Sequence, residues 1–157
     1  MAEKRPPVLD PYSVAPRTGS NYPAQFAGLV AGREKRALGN ALGLKNFGVN
    51  LTTLAPGAAS SQRHWHARQD EFVYMLEGEL VLVTDAGEQV LRPGMAAGFP
   101  AGKPDGHHLV NRSSKPATYL EVGDRTPGEE VDYPDIDLAV RQVDGAERYV
   151  HKNGEPY

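Results

Sequence analysis

Residues 64–71 read HWHARQDE, which places two histidines and one glutamate close together in the chain. Alternate residues of a β-strand lie on the same face, about 6.6 Å apart. His64 and His66 therefore point the same way if this stretch is extended, and Trp65 points to the opposite face. A turn after His66 would place Glu71 on the neighbouring antiparallel strand, where its carboxylate can face both imidazoles. Two imidazoles and a carboxylate on one face are typical of a transition-metal site.

A third imidazole comes from a distant part of the chain. Residues 100–106 contain two prolines and two glycines and predict a tight loop, which is followed by His107 and His108. Adjacent strand residues face opposite ways, so only one of this pair can easily face the other two histidines. His107 is preferred because it has the same parity as Asn111, and His108 is the rival ligand. Three imidazoles and one carboxylate would leave room for water or substrate on a six-coordinate metal.

The composition limits the class of protein. A chain of 157 residues fits one domain, and 39% hydrophobic and 24% charged residues are ordinary for a globular protein. The net charge of −3 provides no basic field for nucleic acid, and the lack of cysteine excludes disulfides and thiolate ligands. No apolar run suits a signal peptide or a membrane span. We therefore expect a cytoplasmic protein with a small-molecule ligand and no nucleic-acid or membrane partner.

Turns divide the chain into many short strands. Seventeen glycines and thirteen prolines predict frequent turns, and the runs between them predict an all-β sandwich or small barrel with strands about 8–12 residues apart. The predicted strands are 48–54, 62–66, 71–76, 79–84, 89–91, 95–99, 107–111, 118–122, 137–143 and 147–151. If Glu71 faces inward, Val73 and Met75 do so too, whereas Phe72 and Tyr74 face outward.

The strand pattern also predicts how the chain is organised. The three segments are an N-terminal arm with a short irregular or helical part (1–46), a barrel core (47–125) and a C-terminal extension (126–157). Residues 1–23, which include Pro6, form either an extended arm on the surface or on a partner subunit, or a disordered one. A helical turn is predicted near Gln25–Val30. Asp144-Gly145 predicts a hairpin in the extension.

The two histidine-containing segments resemble the two sequence motifs of the cupin superfamily, and the similarity covers residues 47–122. The first motif, a glycine, five residues, HxH, three or four residues, Glu, six residues and Gly, is matched by Gly57, His64, His66, Glu71 and Gly78. The second, a glycine, five residues, PxG, two residues, His, three residues and Asn, is matched by Gly94, Pro100, Gly102, His107 and Asn111. Six residues precede the first histidine and four precede His107, so both departures fall in loops.

The resemblance implies a double-stranded β-helix, or jelly-roll barrel, with a divalent transition metal inside one end. By position in the motifs, the ligands would be His64, His66, Glu71 and His107. Mixed nitrogen and oxygen ligation suits Mn, Fe, Co, Ni or Zn. Cupins commonly dimerise, so a homodimer is expected, with the proline-rich arm and outward aromatic residues at its interface. Small bacterial cupins of this kind include sugar-phosphate isomerases and dioxygenases.

Three kinds of function are compatible with these residues. The first is a metal-dependent enzyme acting on a small polar molecule, either a sugar-phosphate isomerase or an iron-dependent dioxygenase. The second is a non-catalytic module that binds or senses a small ligand, and the third is a barrel that the metal only stabilises. The sequence assigns no catalytic residue.

An enzyme needs a further acid or base inside the barrel. The candidates are Asn50, Thr52, Tyr119 and Glu121. An isomerase of phosphosugars also needs a cation, for which the candidates are Lys103, Arg63, Arg68 and Arg112. An ionisable side chain beside the metal would favour an enzyme, whereas an interior lined only by residues such as Val73, Met75 and Leu109 would favour binding.

Overall fold

Strands make up most of the regular structure. The computed structural model describes residues 7–157 and contains, within them, twelve strands and two short α-helices. The strands are β1 (Arg33–Ala37), β2 (Phe47–Leu54), β3 (Trp65–His66), β4 (Glu71–Glu77), β5 (Leu80–Thr84), β6 (Gly87–Leu91), β7 (Ala96–Phe99), β8 (His108–Val110), β9 (Ala117–Asp124), β10 (Val131–Tyr133), β11 (Leu138–Val143) and β12 (Ala146–Val150). The helices are α1 (Ala24–Ala27) and α2 (Leu38–Ala41), and 3₁₀ turns lie at Pro11–Ser13 and Gly28–Val30. None of these helices is long and apolar enough to cross a membrane.

The described strands form three antiparallel sheets, which pack as a cupin-type sandwich. Their strand orders are β1-β2-β9-β4-β7, β12-β11-β10-β3 and β6-β5-β8. One buried cluster joins the five-stranded sheet to the three-stranded sheet, because side chains such as Met75 and Tyr119 pack with Leu80 and Leu109. Burial of these apolar side chains on facing sheets is the main force that holds the sandwich together. The predicted all-β jelly-roll fold is confirmed.

Strand β4 alternates between the two faces of its sheet as predicted. Val73 and Met75 are buried, whereas Phe72 and Tyr74 are 43% and 39% exposed. Because the side-chain period of a strand is two residues, Glu71 lies on the same face as Val73, toward the interior. The register of β4 therefore determines which of its side chains face the interior.

Strand β1 was not predicted from the sequence. Its residues, REKRA, contain no apolar alternation, yet they pair with β2 from Arg33↔Leu54 to Ala37↔Asn50. The arm follows this edge, since the backbones of Arg17 and Lys35 exchange two hydrogen bonds of 2.7 and 2.9 Å. The helical turn predicted near 25–30 is present as α1 and the 3₁₀ turn after it, whereas Pro6 lies outside the described residues.

The C-terminal hairpin belongs to the sandwich. Strands β11 and β12 pair around Asp144-Gly145 as predicted, and β10 connects them to β3. Tyr22 of the arm packs on Tyr133 and Tyr149, with ring centroids 5.8 and 5.6 Å apart. These contacts attach the arm to the C-terminal sheet, beside the strand that contributes His66.

We expect Gly78→Ala to destabilise the fold by about 2–5 kcal/mol. Gly78 has φ +75°, and a Cβ there would lie 2.9 Å from backbone atoms of Ala117 and Pro116. Gly57 is the matched control, because it has φ +84° but open space around its Cβ position. Its alanine variant should cost only about 1–2 kcal/mol. Urea unfolding of both variants tests this, and equal losses would show that the contact with residues 116–117 is unimportant.

Candidate metal centre

Backbone pairing brings two distant histidines side by side. His64 forms an isolated bridge with His107, with N–H···O distances of 3.2 Å from His64 and 2.8 Å from His107. His66 follows in β3 and lies opposite Val131 of β10. The strand predicted over 62–66 is therefore shorter than expected, because the backbone before His64 bends instead of pairing. The bridge nevertheless keeps His64 and His66 on one face.

The Nε2 atoms of the three histidines converge on one carboxylate oxygen. Glu71 Oε2 lies 2.6 Å from the Nε2 atom of His107, 3.1 Å from that of His66 and 3.4 Å from that of His64. The Nε2 atoms of His64 and His66 are 3.1 Å apart. Imidazole binds zinc at about 2.0–2.1 Å, so ligand atoms around one such ion lie about 3 Å from each other. The spacing of His64, His66 and Glu71 therefore fits a divalent transition metal, and His107 contacts the same carboxylate oxygen.

The hydrogen bond of His64 favours metal binding through Nε2. Its Nδ1 atom lies 2.9 Å from the carbonyl oxygen of Gln62. Because a carbonyl can only accept, the proton of the neutral ring lies on Nδ1. The Nε2 lone pair is then free to bind a metal, as second hydrogen bonds of this kind commonly arrange for metal-binding histidines.

The carboxylate of Glu71 stays ionised beside the three rings. Burial would raise the pKa of Glu71, but its interactions with the rings of His107, His64 and His66 outweigh this effect and hold that pKa well below its usual range. An ionised carboxylate is the form that binds a cation. Glu71 can therefore neutralise part of the charge of a divalent ion.

The rings of His66 and His107 differ in their affinity for protons. Burial favours the neutral form of both, but the carboxylates of Glu71 and then Glu129 raise the pKa of His66 above its usual value. Burial lowers the pKa of His107. Glu71 offsets this effect only in part, and the nearby His64 lowers the pKa further. At neutral pH the ring of His107 is therefore neutral, the state in which imidazole binds metals.

The structure places His107, and not His108, in the cluster. His107 is 6% exposed and lies 2.6 Å from Glu71, with its ring stacked on Phe99 at 3.6 Å between centroids. His108 forms a 2.9 Å hydrogen bond through Nδ1 with the carbonyl oxygen of Ser61. The motif residue Asn111 has a structural position, since its buried amide donates to the carbonyl oxygens of residues 54 and 115. The preference for His107 agrees with this geometry.

A cavity of about 200 Å³ contains the cluster. It is lined by His64, His66, Glu71 and His107. Other charged, tyrosyl and apolar side chains, mainly of the five-stranded and three-stranded sheets, complete the lining. A wider cleft of about 470 Å³ shares Lys35, Glu71 and Glu121 with this cavity. The shared residues show that the two spaces adjoin, so a small polar molecule can approach the cluster through the cleft.

Glu121 of β9 lies on the same interior face as Glu71. The strands pair so that Glu71 lies opposite Gly123 and Val73 lies opposite Glu121. The two glutamates are therefore diagonal neighbours, whose Cα atoms lie about 7–8 Å apart in antiparallel geometry. Glu121 also lines the cavity of the histidines. The interior thus contains an ionisable group besides the histidine cluster.

The two oxygens of Glu121 have different environments. Oε1 accepts hydrogen bonds from Lys35 Nζ at 2.5 Å and from Asn50 Nδ2 at 2.8 Å. Oε2 has one contact within residues 7–157, with the hydroxyl of Tyr119 at 3.5 Å. Burial and the charge of Glu121 raise the pKa of Tyr119 well above its usual range, so its hydroxyl stays protonated. Oε1 is therefore anchored, while Oε2 is available to accept a proton.

The fourth candidate from the sequence, Thr52, is buried with its hydroxyl unpaired among the described residues, and it does not line the cavity.

The four cations suggested by the sequence do not line the cavity of the histidines. Arg63 pairs with Asp135 and Asp85, and Arg112 pairs with Glu88. The guanidinium of Arg68 lies against the turn at residue 128. Lys103 and Trp65 line a separate cavity of about 230 Å³, which shares His66 and His107 with the first.

Different cations lie along the approach to the cluster. Arg33 and Lys35 of β1 line the cavity, and Arg17 and Arg125 line the cleft. Arg33 and Lys35 were not predicted from the sequence because β1 was not recognised as a strand. The charged run at residues 33–36 would indicate cavity-lining cations only if the pairing of this segment with β2 were known.

Comparisons with known proteins agree with this geometry. A family model described as a cupin domain matches residues 50–123. A sugar phosphate isomerase from a cupin superfamily, from Silicibacter pomeroyi DSS-3, is 50% identical, with 96% of each chain covered and a TM-score of 0.91. A proposed sugar phosphate isomerase from Acidithiobacillus ferrooxidans is 28% identical, with 80% of each chain covered and a TM-score of 0.72.

A third structure shares the fold alone. The polyketide cyclase from Streptomyces resistomycificus is 22% identical, covers 74% of this chain and 78% of its own, and has a TM-score of 0.62. No curated protein matches the sequence. The family model, the fold and the relative at 50% identity together show that this chain belongs to the cupin superfamily.

Proposed function

We propose that the protein is a metal-dependent isomerase of a small phosphorylated sugar or a similar hydroxy-carbonyl compound. The observation that carries this proposal is the carboxylate of Glu121, anchored by Lys35 and Asn50 in the cavity that also contains the histidine cluster. The relative from Silicibacter pomeroyi, which is named a sugar phosphate isomerase, supports the same reaction class. A dioxygenase or a binding module would not need such a base.

The proposed metal ligands are His64, His66, Glu71 and His107. When bound, a divalent transition metal would polarise the carbonyl group of the substrate as a Lewis acid. Glu71 and the three Nε2 atoms provide one carboxylate and three imidazole nitrogens, a donor set that suits Mn, Fe, Co, Ni or Zn. The cavity beside them has room for a few substrate atoms, about 200 Å³.

Glu121 is the proposed base. Its Oε2 atom would remove the proton from the carbon next to the substrate carbonyl. The released electron pair would form a carbon–carbon double bond as the π electrons of the carbonyl move onto its oxygen. The same carboxyl would return the proton to the former carbonyl carbon, while the hydroxyl proton moves from one substrate oxygen to the other. Lys35, at 2.5 Å from Oε1, holds the carboxylate in place so that Oε2 faces the cavity.

Apolar side chains would limit the access of water to the reacting carbons. Val73 and Leu109 are buried, and Phe99 stacks on His107 at 3.6 Å. All three line the cavity. A site that excludes water strengthens electrostatic interactions and protects a reactive intermediate from side reactions.

Arg17 and Arg125 are the proposed binding residues for the phosphate. Both line the cleft, and neither forms an ion pair within the described residues. The guanidinium of Arg125 is oriented by the carbonyl oxygen of Leu44 at 3.2 Å and the side chain of Asn40. Asp124 also lines the cleft, but its carboxylate oxygens already accept backbone hydrogen bonds of 2.7 and 2.8 Å. Arginine suits phosphate because its planar fork can donate two hydrogen bonds at once.

Solvent deuterium tests the proposed reaction directly. The Mn²⁺- or Zn²⁺-loaded protein, incubated in D₂O with a panel of aldose and ketose phosphates, should incorporate deuterium next to the carbonyl of at least one of them. Mass spectrometry of the recovered sugars measures the incorporation, and chelator-treated protein is the control. Exchange that is absent from the whole panel would contradict an isomerase of this class.

Arg17→Ala should raise KM for the phosphorylated substrate by about tenfold, with a smaller change in kcat, because a charge-assisted hydrogen bond is lost from a partly exposed site. Its KM for the unphosphorylated sugar should not change. Arg148→Ala is the control, since that exposed arginine lies on β12 and does not line the cleft. Equal KM changes for the two sugars would exclude a phosphate contact at Arg17.

A further inference from the structure

Glu129 is a buried carboxylate in the loop that precedes β10. It is only 3% exposed. Its Oε1 atom accepts three backbone hydrogen bonds, from Ala67 at 2.9 Å, Arg68 at 3.1 Å and Glu130 at 2.9 Å. These bonds fix the orientation of the carboxylate and connect the loop to the residues that follow His66.

The other oxygen of Glu129 faces the ring of His66. Oε2 of Glu129 and Nδ1 of His66 are both buried and have no hydrogen-bond partner among the described residues. The two atoms are 3.7 Å apart. Unpaired buried polar atoms are rare in native proteins, because each loses its interaction with water. The separation exceeds a normal hydrogen-bond distance by less than about 1 Å. A small movement of the ring would therefore allow the two atoms to form a hydrogen bond.

The three histidines of the cluster differ in the group that lies beside their Nδ1 atom. His64 Nδ1 lies against the neutral carbonyl group of Gln62, and the buried Nδ1 of His107 has no partner among the described residues. His66 alone has a carboxylate beside its Nδ1 atom within the same part of the chain. A carboxylate that accepts the Nδ1 proton makes Nε2 a stronger donor and holds the ring in the metal-binding tautomer.

We propose that Glu129 is a positioning residue, which accepts the Nδ1 proton of His66 and thereby holds its Nε2 atom toward the metal. This role rests on the proposed metal site. It makes the C-terminal part of the chain necessary for full metal affinity, although that part lies outside the two cupin motifs. Glu129 itself touches neither the metal nor the substrate.

Glu129→Gln separates the charge from the shape of this side chain. Glutamine keeps an oxygen for the three backbone donors, but it places an amide N–H where His66 needs an acceptor. Titration with Co²⁺ in competition with a chelator should give a dissociation constant about 10–100-fold weaker than that of the wild type. The melting temperature of the metal-free protein should change little. Glu130→Gln, at the neighbouring and more exposed position, should match the wild type in both.

Nitrogen NMR of the histidine rings in the metal-free wild-type protein provides a second measurement. His66 should carry a proton on Nδ1 that is hydrogen-bonded to Glu129, and Glu129→Gln should remove this hydrogen bond. A wild-type ring with no proton on Nδ1 would overturn the inference, even if the variant did not fold.

Three results of the Co²⁺ titration are distinguishable. Weaker binding by Glu129→Gln with an unchanged melting temperature supports the positioning role. Equal affinities, or a weaker affinity with an equally large loss of metal-free stability, overturn it. A wild-type protein that binds no Co²⁺ contradicts the metal site itself, and with it both the proposed function and this role.

Discussion

Glu121→Gln is expected to lower kcat by about 100- to 10,000-fold, the range that general acid–base catalysis contributes. Glutamine has nearly the same shape, and it can still accept hydrogen bonds from Lys35 and Asn50 through its oxygen. Its amide nitrogen cannot accept the substrate proton. Deuterium incorporation should therefore fall with turnover, whereas the metal content should remain that of the wild type.

Glu34→Gln is the matched control for Glu121→Gln. Glu34 is also paired with a cation on β1, Arg36, at 2.9 Å, but it does not line the cavity or the cleft. Its substitution should leave kcat and metal content unchanged. If Glu121→Gln keeps more than about a tenth of wild-type turnover, the proton is removed by another group. If it loses metal as well, Glu121 acts on the cluster and not on the substrate.

His64→Ala is expected to remove the metal almost completely. The Nε2 atom of His64 is part of the donor set and lies 3.1 Å from that of His66 and 3.4 Å from Glu71 Oε2. Loss of a direct ligand should weaken binding by more than the roughly 10–100-fold seen for outer contacts. Elemental analysis of the purified protein should show a metal content near zero, and activity should be lost with it.

Two other histidines are controls for His64→Ala. His108 lies next to the proposed ligand His107 but bonds to the carbonyl oxygen of Ser61, and His151 pairs with Asp137 outside the cavity. Their alanine variants should retain metal, while His107→Ala should lose it. Circular dichroism checks that each variant is folded. Equal metal content in the wild type and His64→Ala would exclude the proposed site.

Local patterns in the sequence were sufficient to predict which side chains face inward where one face of a strand is buried. The alternation over residues 71–75 predicted Val73 and Met75 inside and Phe72 and Tyr74 outside, and all four predictions are confirmed. The reason is that a one-residue slip would reverse every side chain of the strand. The hairpin at residues 144–145 is confirmed for a similar local reason, because the turn chemistry is contained in two residues.

Pairing between distant segments was not readable in the same way. Strand β1 has no apolar alternation, since Arg33 and Lys35 point into a polar cavity instead of an apolar core. Its position at the sheet edge depends on hydrogen bonds with β2. The cations of β1 were consequently not among the candidates, and one of the residues that were, Arg63, is paired with Asp135.

The candidate base could not be selected from the sequence. Glu121 was one of four interior candidates, and the sequence contained no reason to prefer it. Its preference comes from contacts with Lys35 and Asn50, which lie 86 and 71 residues away in the chain. Glu129 was not predicted at all, because a glutamate between Gly128 and Glu130 has no pattern that indicates burial.

The sequence by itself determined the all-β fold and the resemblance to cupins, because motif spacing and strand parity are local properties of the chain. It also predicted His64, His66 and Glu71 as ligands and preferred His107 over His108. Only the tertiary structure decided that His107 contacts Glu71, that Glu121 faces the same cavity and that Glu129 lies behind His66. These relations depend on antiparallel registers between segments 36 to 86 residues apart. Register across such distances results from the packing of whole sheets, which no short stretch of sequence specifies.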